Sequence, residues 1–258
     1  MDQSEARFGG IKRLFGVDGF ERLRRSHVCV VGLGGVGSWT VEALARTGVG
    51  ALTLVDLDDI CVSNVNRQLH ALDGAFGQSK AEALAGRVRA INPECKVSPV
   101  QLFFLKSTAE EILRARFDFV VDAIDSPARK CLLLAACRER AIPVITVGAS
   151  AGRRDPTAVH VVDLARSTHD RLLQEVRKKL RTKHGFPRGE KKFGVECVLS
   201  REGPVFPGND GCVAKALPPG TDLRLDCNSG LGTASFVTGA FGLVAAARVV
   251  QGIVEKKG

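Results

Sequence analysis

The chain has no Cys-x-x-Cys pair. Its eight cysteines, at positions 29, 61, 95, 131, 137, 197, 212 and 227, are scattered. No zinc-type ligand spacing is present, so no structural zinc is expected. Several cysteines stand inside apolar stretches such as HVCVVG and CLLLAAC, where a thiol behaves as a small hydrophobe. This usage fits a reduced, cytoplasmic protein. The amino-terminal MDQSEARFGG lacks an apolar core, which argues against a secretory signal. A membrane span is also missing. The longest uncharged run, residues 227–247, is interrupted by Asn228, Ser229, Thr233, Ser235, Thr238 and several glycines. That composition predicts a buried helix rich in small residues. There are no internal repeats and no low-complexity tract. For 258 residues this leaves one large α/β domain, or such a domain with a modest extension.

What is present is alternation. Strand-like segments at 27–32 and 51–56, at the end of INPECKVSPV, in FDFVVDAID and in IPVITVG are separated by helical patterns at 36–47, 79–90 and 127–140. Ser79 and Ser126 stand where helix N-caps belong. After Gly148 the pattern loosens. AVHVVDL and FGVECVLS read as further strands around a basic helix, followed by a Pro/Gly-rich loop (203–220) and a last helix (233–254). The expected fold is α/β: a Rossmann-like, mostly parallel sheet with helices on both faces. Residues 1–150 form its nucleotide-binding core. Residues 151–258 elaborate the same domain, with basic segment 166–192 and the final helix packed back.

Four glycines, Gly32, Gly34, Gly35 and Gly37, fall within VVGLGGVGSW, and Gly32, Gly34 and Gly37 make the pattern G-x-G-x-x-G between a strand and a helix. Such a loop lets phosphate approach the backbone and meet the free N–H groups of a helix start. Asp56, nineteen residues past Gly37, is placed to accept hydrogen bonds from ribose hydroxyls. These features alone suit an NAD-dependent oxidoreductase. DLDDICVSNVNRQLH adds Arg67 in a region with Asn64, Asn66 and Gln68, and Lys80 opens the next helix. Two cations converging on a glycine loop suit a triphosphate whose charge must be neutralised during transfer. Asp122 and Asp125, in VVDAIDSPARK, fall at the carboxyl edge of the sheet, where one of them could hold Mg²⁺.

The net charge of +9 is concentrated. Segment 166–192 holds ten Lys or Arg against Asp170, Glu175 and Glu190, an excess of seven. Such a stripe attracts polyanions, nucleic acid foremost. Arg177, Lys178, Lys179, Arg181 and Lys183 are the expected nucleic-acid phosphate contacts within it.

VVGLGGVGSW, DLDDICVSNVNRQ, GQSKA and DAIDS resemble the adenylation domain of ubiquitin-activating enzymes and of the thiamine and molybdopterin adenylyltransferases, the HesA/MoeB/ThiF superfamily. The resemblance implies that Gly35, Asp56 and Asp58 hold the adenosine side of ATP. It turns Asn64, Arg67, Gln68 and Lys80 toward the phosphates, and gives Asp125 the Mg²⁺. It also implies a homodimer in which an N-terminal arginine crosses to the partner's site; Arg7 is the candidate, with Arg13 the competitor. RFGGIKRLFG, INPEC, DPT, FGVECV and LDCNSG extend the resemblance to one branch, the tRNA threonylcarbamoyladenosine dehydratases. In GASAGRRDPT, however, that branch leads one to expect more glycine and no arginine pair.

That resemblance implies adenylation of the threonyl carboxylate, then ring closure by the substrate's own carbamoyl group. A tethered nucleophile of that kind needs no enzyme thiol. Cys227, in LDCNSG, is the residue that would serve if a thioester were used. A monovalent cation and a sulfur-transfer partner such as a cysteine desulfurase are further features that the superfamily raises. Two alternatives remain beside the oxidoreductase: activation of the carboxyl terminus of a ubiquitin-like sulfur carrier, and an adaptor that binds ATP and tRNA without chemistry.

Overall fold

The computed structural model describes residues 3–208, 211–216 and 231–256. A helix, α1 (Gln3–Arg25), leads into the sheet and is broken at Gly16, where φ is 74°. The core then alternates: β1 (His27–Val31), α2 (Gly37–Arg46), β2 (Ala51–Val55), α3 (Lys80–Ile91), β3 (Lys96–Val100), a short α4 (Ala109–Ile112), β4 (Phe119–Asp122), α5 (Pro127–Glu139) and β5 (Val144–Val147). There follow β6 (Val159–Asp163), α6 (Arg171–Lys183), β7 (Glu196–Ser200), a small hairpin of β8 (Phe206–Pro207) and β9 (Val213–Ala214), and α7 (Ser235–Val254).

Seven strands form one sheet in the order β3-β2-β1-β4-β5-β7-β6. All neighbouring pairs are parallel except β6 with β7. Strands such as HVCVV and ALTLV are apolar on both faces because helices cover both. One face packs α2, α3 and α7 around Val30, Leu54 and Phe241. The other packs α5 around Val120, Leu133 and Cys137, and α6 closes over α5 and β7 through Leu173, Val176 and Leu180.

The expected alternation is present, with segments α1, α4 and the β8–β9 hairpin added to it. Ser79 and Ser126 do occupy N-cap positions, but neither side chain bonds its helix. The small-residue run becomes α7, the one helix among the described residues long and apolar enough to cross a membrane. Here its inner face lies on α2, where Thr40 Oγ1 donates to the Gly242 carbonyl at 3.1 Å. Of the seven described cysteines, all but Cys227, five are buried: Cys29, Cys95, Cys131, Cys137 and Cys197. Burial pushes the Cys95 and Cys131 thiols up to about 11 and Cys197 to about 12, so they stay protonated hydrophobes at neutral pH. Cys227 lies outside the described residues.

Candidate nucleotide and RNA site

The chain leaves β1 for strands on one side and returns to β4 on the other, so the carboxyl ends of β1 and β4 mark a topological switch point. The glycine loop sits there. Gly32 has φ of 90°, and a Cβ on it would lie 2.7 Å from the Ala123 carbonyl oxygen. A Cβ on Gly37 would lie 1.8 Å from the Gly32 carbonyl oxygen. Only glycine fits at both positions, and the turn thereby brings the start of α2 against the turn after β4. The α2 N-cap, Val36, offers no side-chain bond, so the helix start keeps free donors for an anion.

The other expected residues converge on this loop. Asp56 accepts the Leu33 N–H at 2.7 Å and the Asp58 N–H at 2.9 Å. Burial pushes its carboxyl up, while those two N–H bonds and Lys80 pull it down. Two lone-pair positions remain for hydroxyl donors. The aliphatic stem of Arg67 lies 3.3 Å from where a Gly35 Cβ would be, and the Gln68 amide nitrogen 3.9 Å from that of Gly34. Lys80 is buried and donates to Asp58 at 2.9 Å. Asn64 shapes the turn itself, accepting the Cys61 N–H at 3.0 Å.

Several supporting residues carry no motif signal. Trp39 Nε1 and Thr238 Oγ1 both donate to the Arg67 carbonyl, at 3.1 and 3.3 Å. Asn66 accepts from the Arg67 guanidinium at 2.9 Å and donates to Thr233 at 2.9 Å. The crossover loop is therefore stapled to α2 and to the lead-in of α7. Its partners come from residues 39, 233 and 238, too distant in sequence for any local pattern to reveal.

Asp122 and Asp125 part company. Asp122 is fully buried: Lys130 Nζ donates to its Oδ2 at 3.1 Å and to its carbonyl at 3.2 Å, and Thr146 Oγ1 donates to Oδ2 at 2.6 Å. Its remaining oxygen accepts the Ile124 N–H at 3.2 Å. With both oxygens engaged inside the sheet, Asp122 cannot be a metal ligand in this arrangement. Asp125 is exposed, and its carboxylate has no partner among the described residues.

His70 is an unexpected member. It is 5% exposed, and neither ring nitrogen has a partner; the neighbouring orphans are Gln68 Oε1 and Ser79 Oγ. Burial, then the Lys80 charge, pushes its pKa down to about 4. The folded state therefore binds the proton more weakly than the unfolded chain, whose histidine titrates near 6.5. Stability is full above the unfolded value and falls as pH drops from 6.5 toward 4. Between about pH 7 and about pH 4.5 this single group removes roughly 2–3 kcal/mol. Urea unfolding of native protein and His70→Gln at both pH values checks this. Equal pH slopes for the two proteins would contradict it.

The basic segment is less uniformly free than its sequence suggests. Arg177 donates to the Ala165 carbonyl at 3.2 Å, and Arg181 donates to Pro187 and Gly189 carbonyls at 3.3 and 3.1 Å. Lys179 pairs with Glu175 at 2.6 Å. These three are held by their own surroundings. Lys178 and Lys183 are exposed without partners among the described residues, as are Arg166, Arg171, Arg188, Lys191 and Lys192. Arg7 is exposed on α1 and donates to the Ile91 carbonyl at 3.1 Å, at the end of α3.

Comparison with known proteins agrees with this architecture. The ThiF family model matches residues 10–257. The tRNA threonylcarbamoyladenosine dehydratase of Escherichia coli K12 is 45% identical over 99% of this chain and 96% of its own length. That of Haemophilus influenzae is 43% identical, covering 100% and 97%. A solved structure of the E. coli tRNA N6-threonylcarbamoyladenosine dehydratase in complex with ATP superposes with a TM-score of 0.87 at 40% identity, over 98% of this chain and 96% of that one. The chain belongs to the ThiF family, in the branch formed by the tRNA threonylcarbamoyladenosine dehydratases.

Proposed function

We propose that this protein dehydrates threonylcarbamoyladenosine in tRNA at the expense of ATP. The observation that carries the reading is the meeting of four elements at one glycine loop: the free α2 start, Asp56, the Arg67–Lys80 pair and the turn bearing Asp125. Relatives matched over nearly their whole length bear the corresponding name, and one is solved with ATP.

In this reading the threonyl carboxylate attacks the α-phosphorus of ATP, forming an acyl-adenylate and releasing pyrophosphate. Arg67 and Lys80 neutralise the charge that accumulates on the departing phosphates. The substrate's carbamoyl group then attacks the acyl carbon, AMP leaves with the carboxylate oxygen, and a ring closes. The net change is the loss of one water from the nucleoside. Asp56 holds the ribose, with Gly34, Gly35, Asp58, Asn64 and Gln68 around the nucleotide. No group of three or more metal-type ligands occurs among the described residues. A lone unpartnered carboxylate at Asp125 nonetheless fits Mg²⁺, which takes one or two carboxylates plus phosphates and water; its charge would assist the same departure.

Two features support a homodimer acting on tRNA, which we place in the cytoplasm as the sequence suggests. The outer face of α7 presents Phe236, Ala240, Leu243 and Ala247, of which Phe236 is 59% and Leu243 50% exposed. Val62 and Val65 stand exposed on the crossover loop, which is joined to α7 through Asn66 and Thr238. A second copy on this apolar face is the proposed dimer contact, with Arg7 the residue that would cross to the partner's site. The unpaired cations along α6 and the loop after it supply the electrostatic footprint for RNA.

The test incubates purified protein, ATP, Mg²⁺ and tRNA carrying threonylcarbamoyladenosine, then digests the RNA gently and weighs the nucleosides. The expected product is threonylcarbamoyladenosine lighter by one water, formed only with ATP. An unchanged mass, together with adenylation of a ubiquitin-like sulfur carrier, would transfer the substrate assignment to that protein tail.

A further inference from the structure

The fold splits the arginine pair of GRRDPT. Arg153 is 3% exposed and acts as a hub. Its guanidinium donates to the Glu202 carbonyl at 3.0 Å, and lies 3.4 Å from the Asp170 carboxylate and 3.5 Å from the His169 carbonyl. Asp170 caps α6 through the Leu173 N–H at 2.9 Å and also accepts the Ala149 N–H, just past β5, at 2.8 Å. The Glu202 carboxylate accepts the N–H groups of Arg154 and Asp155, both at 2.8 Å. One buried cation thus binds together the loop after β5, the start of α6 and the chain leaving β7.

Next to the bonded residues stand Arg154, Arg171 and Arg201. All three are exposed, and none of their side chains has a partner among the described residues. Arg201 is fixed by its own N–H, which donates to the Ala158 carbonyl at 3.1 Å. β5 and β7 run parallel to β4, so these arginines stand at the carboxyl edge that also carries the glycine loop and Asp125. Nearby acids are already engaged: Asp170 by Arg153, Glu202 by two N–H groups, and Asp155 by Thr157. The loop is also continuous with the site. Gly152 N–H donates to the Gly232 carbonyl at 2.7 Å, and the adjacent Thr233 holds Asn66 beside Arg67. α6 runs from this edge to the opposite one, about 20 Å away at 1.5 Å per residue. Its far end and the following loop carry Lys183, Arg188, Lys191 and Lys192.

We propose that Arg154, Arg171 and Arg201 form a phosphate-binding site at the carboxyl edge of the sheet beside the glycine loop, gripping the RNA backbone on either side of the modified nucleoside. This rests on the tRNA reading above and adds a division of labour to it. The edge arginines hold the loop that carries the reacting base; the far cations meet only the more distant parts of a full tRNA. Arginine suits the first task because its planar fork pairs two phosphate oxygens at once. Arg153 acts as the positioning residue that sets the spacing of the three.

The experiment compares two variants of the full chain, Arg154→Gln/Arg171→Gln/Arg201→Gln and Lys183→Gln/Arg188→Gln/Lys191→Gln/Lys192→Gln. Each is titrated against full-length modified tRNA and against a short RNA stem–loop carrying threonylcarbamoyladenosine, at several salt concentrations. The edge variant should bind both RNAs at least about ten-fold more weakly. Its stem–loop salt slope should fall by about 2, the value for three single-strand phosphate contacts. The far-end variant should lose affinity for full tRNA and keep it for the stem–loop. Native ATP binding in both variants confirms their fold. Unchanged stem–loop affinity and slope in the edge variant would overturn the site, as would an equal loss of stem–loop binding in the far-end variant. If native protein binds neither RNA, the tRNA reading falls and this site with it.

Discussion

Arg67→Ala and Lys80→Met each lower turnover on modified tRNA by on the order of 10²–10³-fold, with a much smaller loss of ATP affinity. The reason lies in when each charge is needed. In the proposed reading ground-state ATP rests on the free start of α2, on Asp56 and on the backbone of the glycine loop. The substitutions leave these in place even though the Arg67 stem lies 3.3 Å from the Gly35 Cβ position. In that reading, charge builds on the bridging and terminal oxygens only as pyrophosphate departs, and there Arg67 and Lys80 would supply the compensating cations. An interaction made mainly in the transition state shows itself as a fall in kcat and kcat/KM together. The structure also explains why substitution leaves the site otherwise intact. The Arg67 backbone is pinned by Trp39 and Thr238 through its carbonyl, independently of its guanidinium. Lys80 is buried along its stem, so methionine preserves packing while removing the charge. Asp58, at 2.9 Å from the ammonium, loses its partner but is half exposed and remains hydrated. Single-turnover rates and ATP titrations on both variants provide the measurement. Near-native turnover in both would remove these residues from the chemistry.

Much of this arrangement was legible because its signals are local. Gly32 and Gly37 announce a turn in which a side chain would strike a carbonyl, and Asp56, Arg67 and Lys80 fall at offsets that a strand–loop–helix path converts into proximity. Alternating apolar runs located the strands because burial on both faces leaves little freedom in composition. The harder part was which charges are spent. Asp122 and Asp125 look alike three residues apart, yet Lys130 and Thr146 come from the next helix and strand to claim the first. Arg177 and Arg181 look as free as Lys178 until the turn before α6 offers the Ala165 carbonyl to the first and the loop after α6 folds back to offer Pro187 and Gly189 to the second. The Arg153–Asp170 pair joins segments whose proximity depends on β7 inserting between β5 and β6, an order no local pattern encodes. His70 lies within a motif-bearing stretch, but its isolation becomes visible only when the surrounding atoms are in place.

The buried Lys130–Asp122 pair leads to the second large effect. Lys130→Met should destabilise the protein by about 3–5 kcal/mol, because it strands a carboxylate with no access to water. Both residues are 0% exposed, and the ammonium bonds Asp122 twice and Thr146 Oγ1 at 3.0 Å. Replacing the whole cluster, Lys130→Met/Asp122→Leu/Thr146→Val, should restore most of that loss, since apolar residues of similar volume pack where a desolvated ion pair was costly. Turnover should not return with stability. Asp122 also fixes the Ile124 N–H, and so the turn that lies against Gly32 and leads to Asp125. Without that acceptor the turn relaxes, and a displacement near 1 Å at a reacting centre costs on the order of 10²-fold. Urea unfolding of the single and triple variants gives the stability difference; turnover measured across a Mg²⁺ titration gives the function. A triple variant that regains both stability and native turnover would make the pair a purely structural element. One that regains stability alone, with a raised Mg²⁺ requirement, assigns the ion pair to holding Asp125 in place.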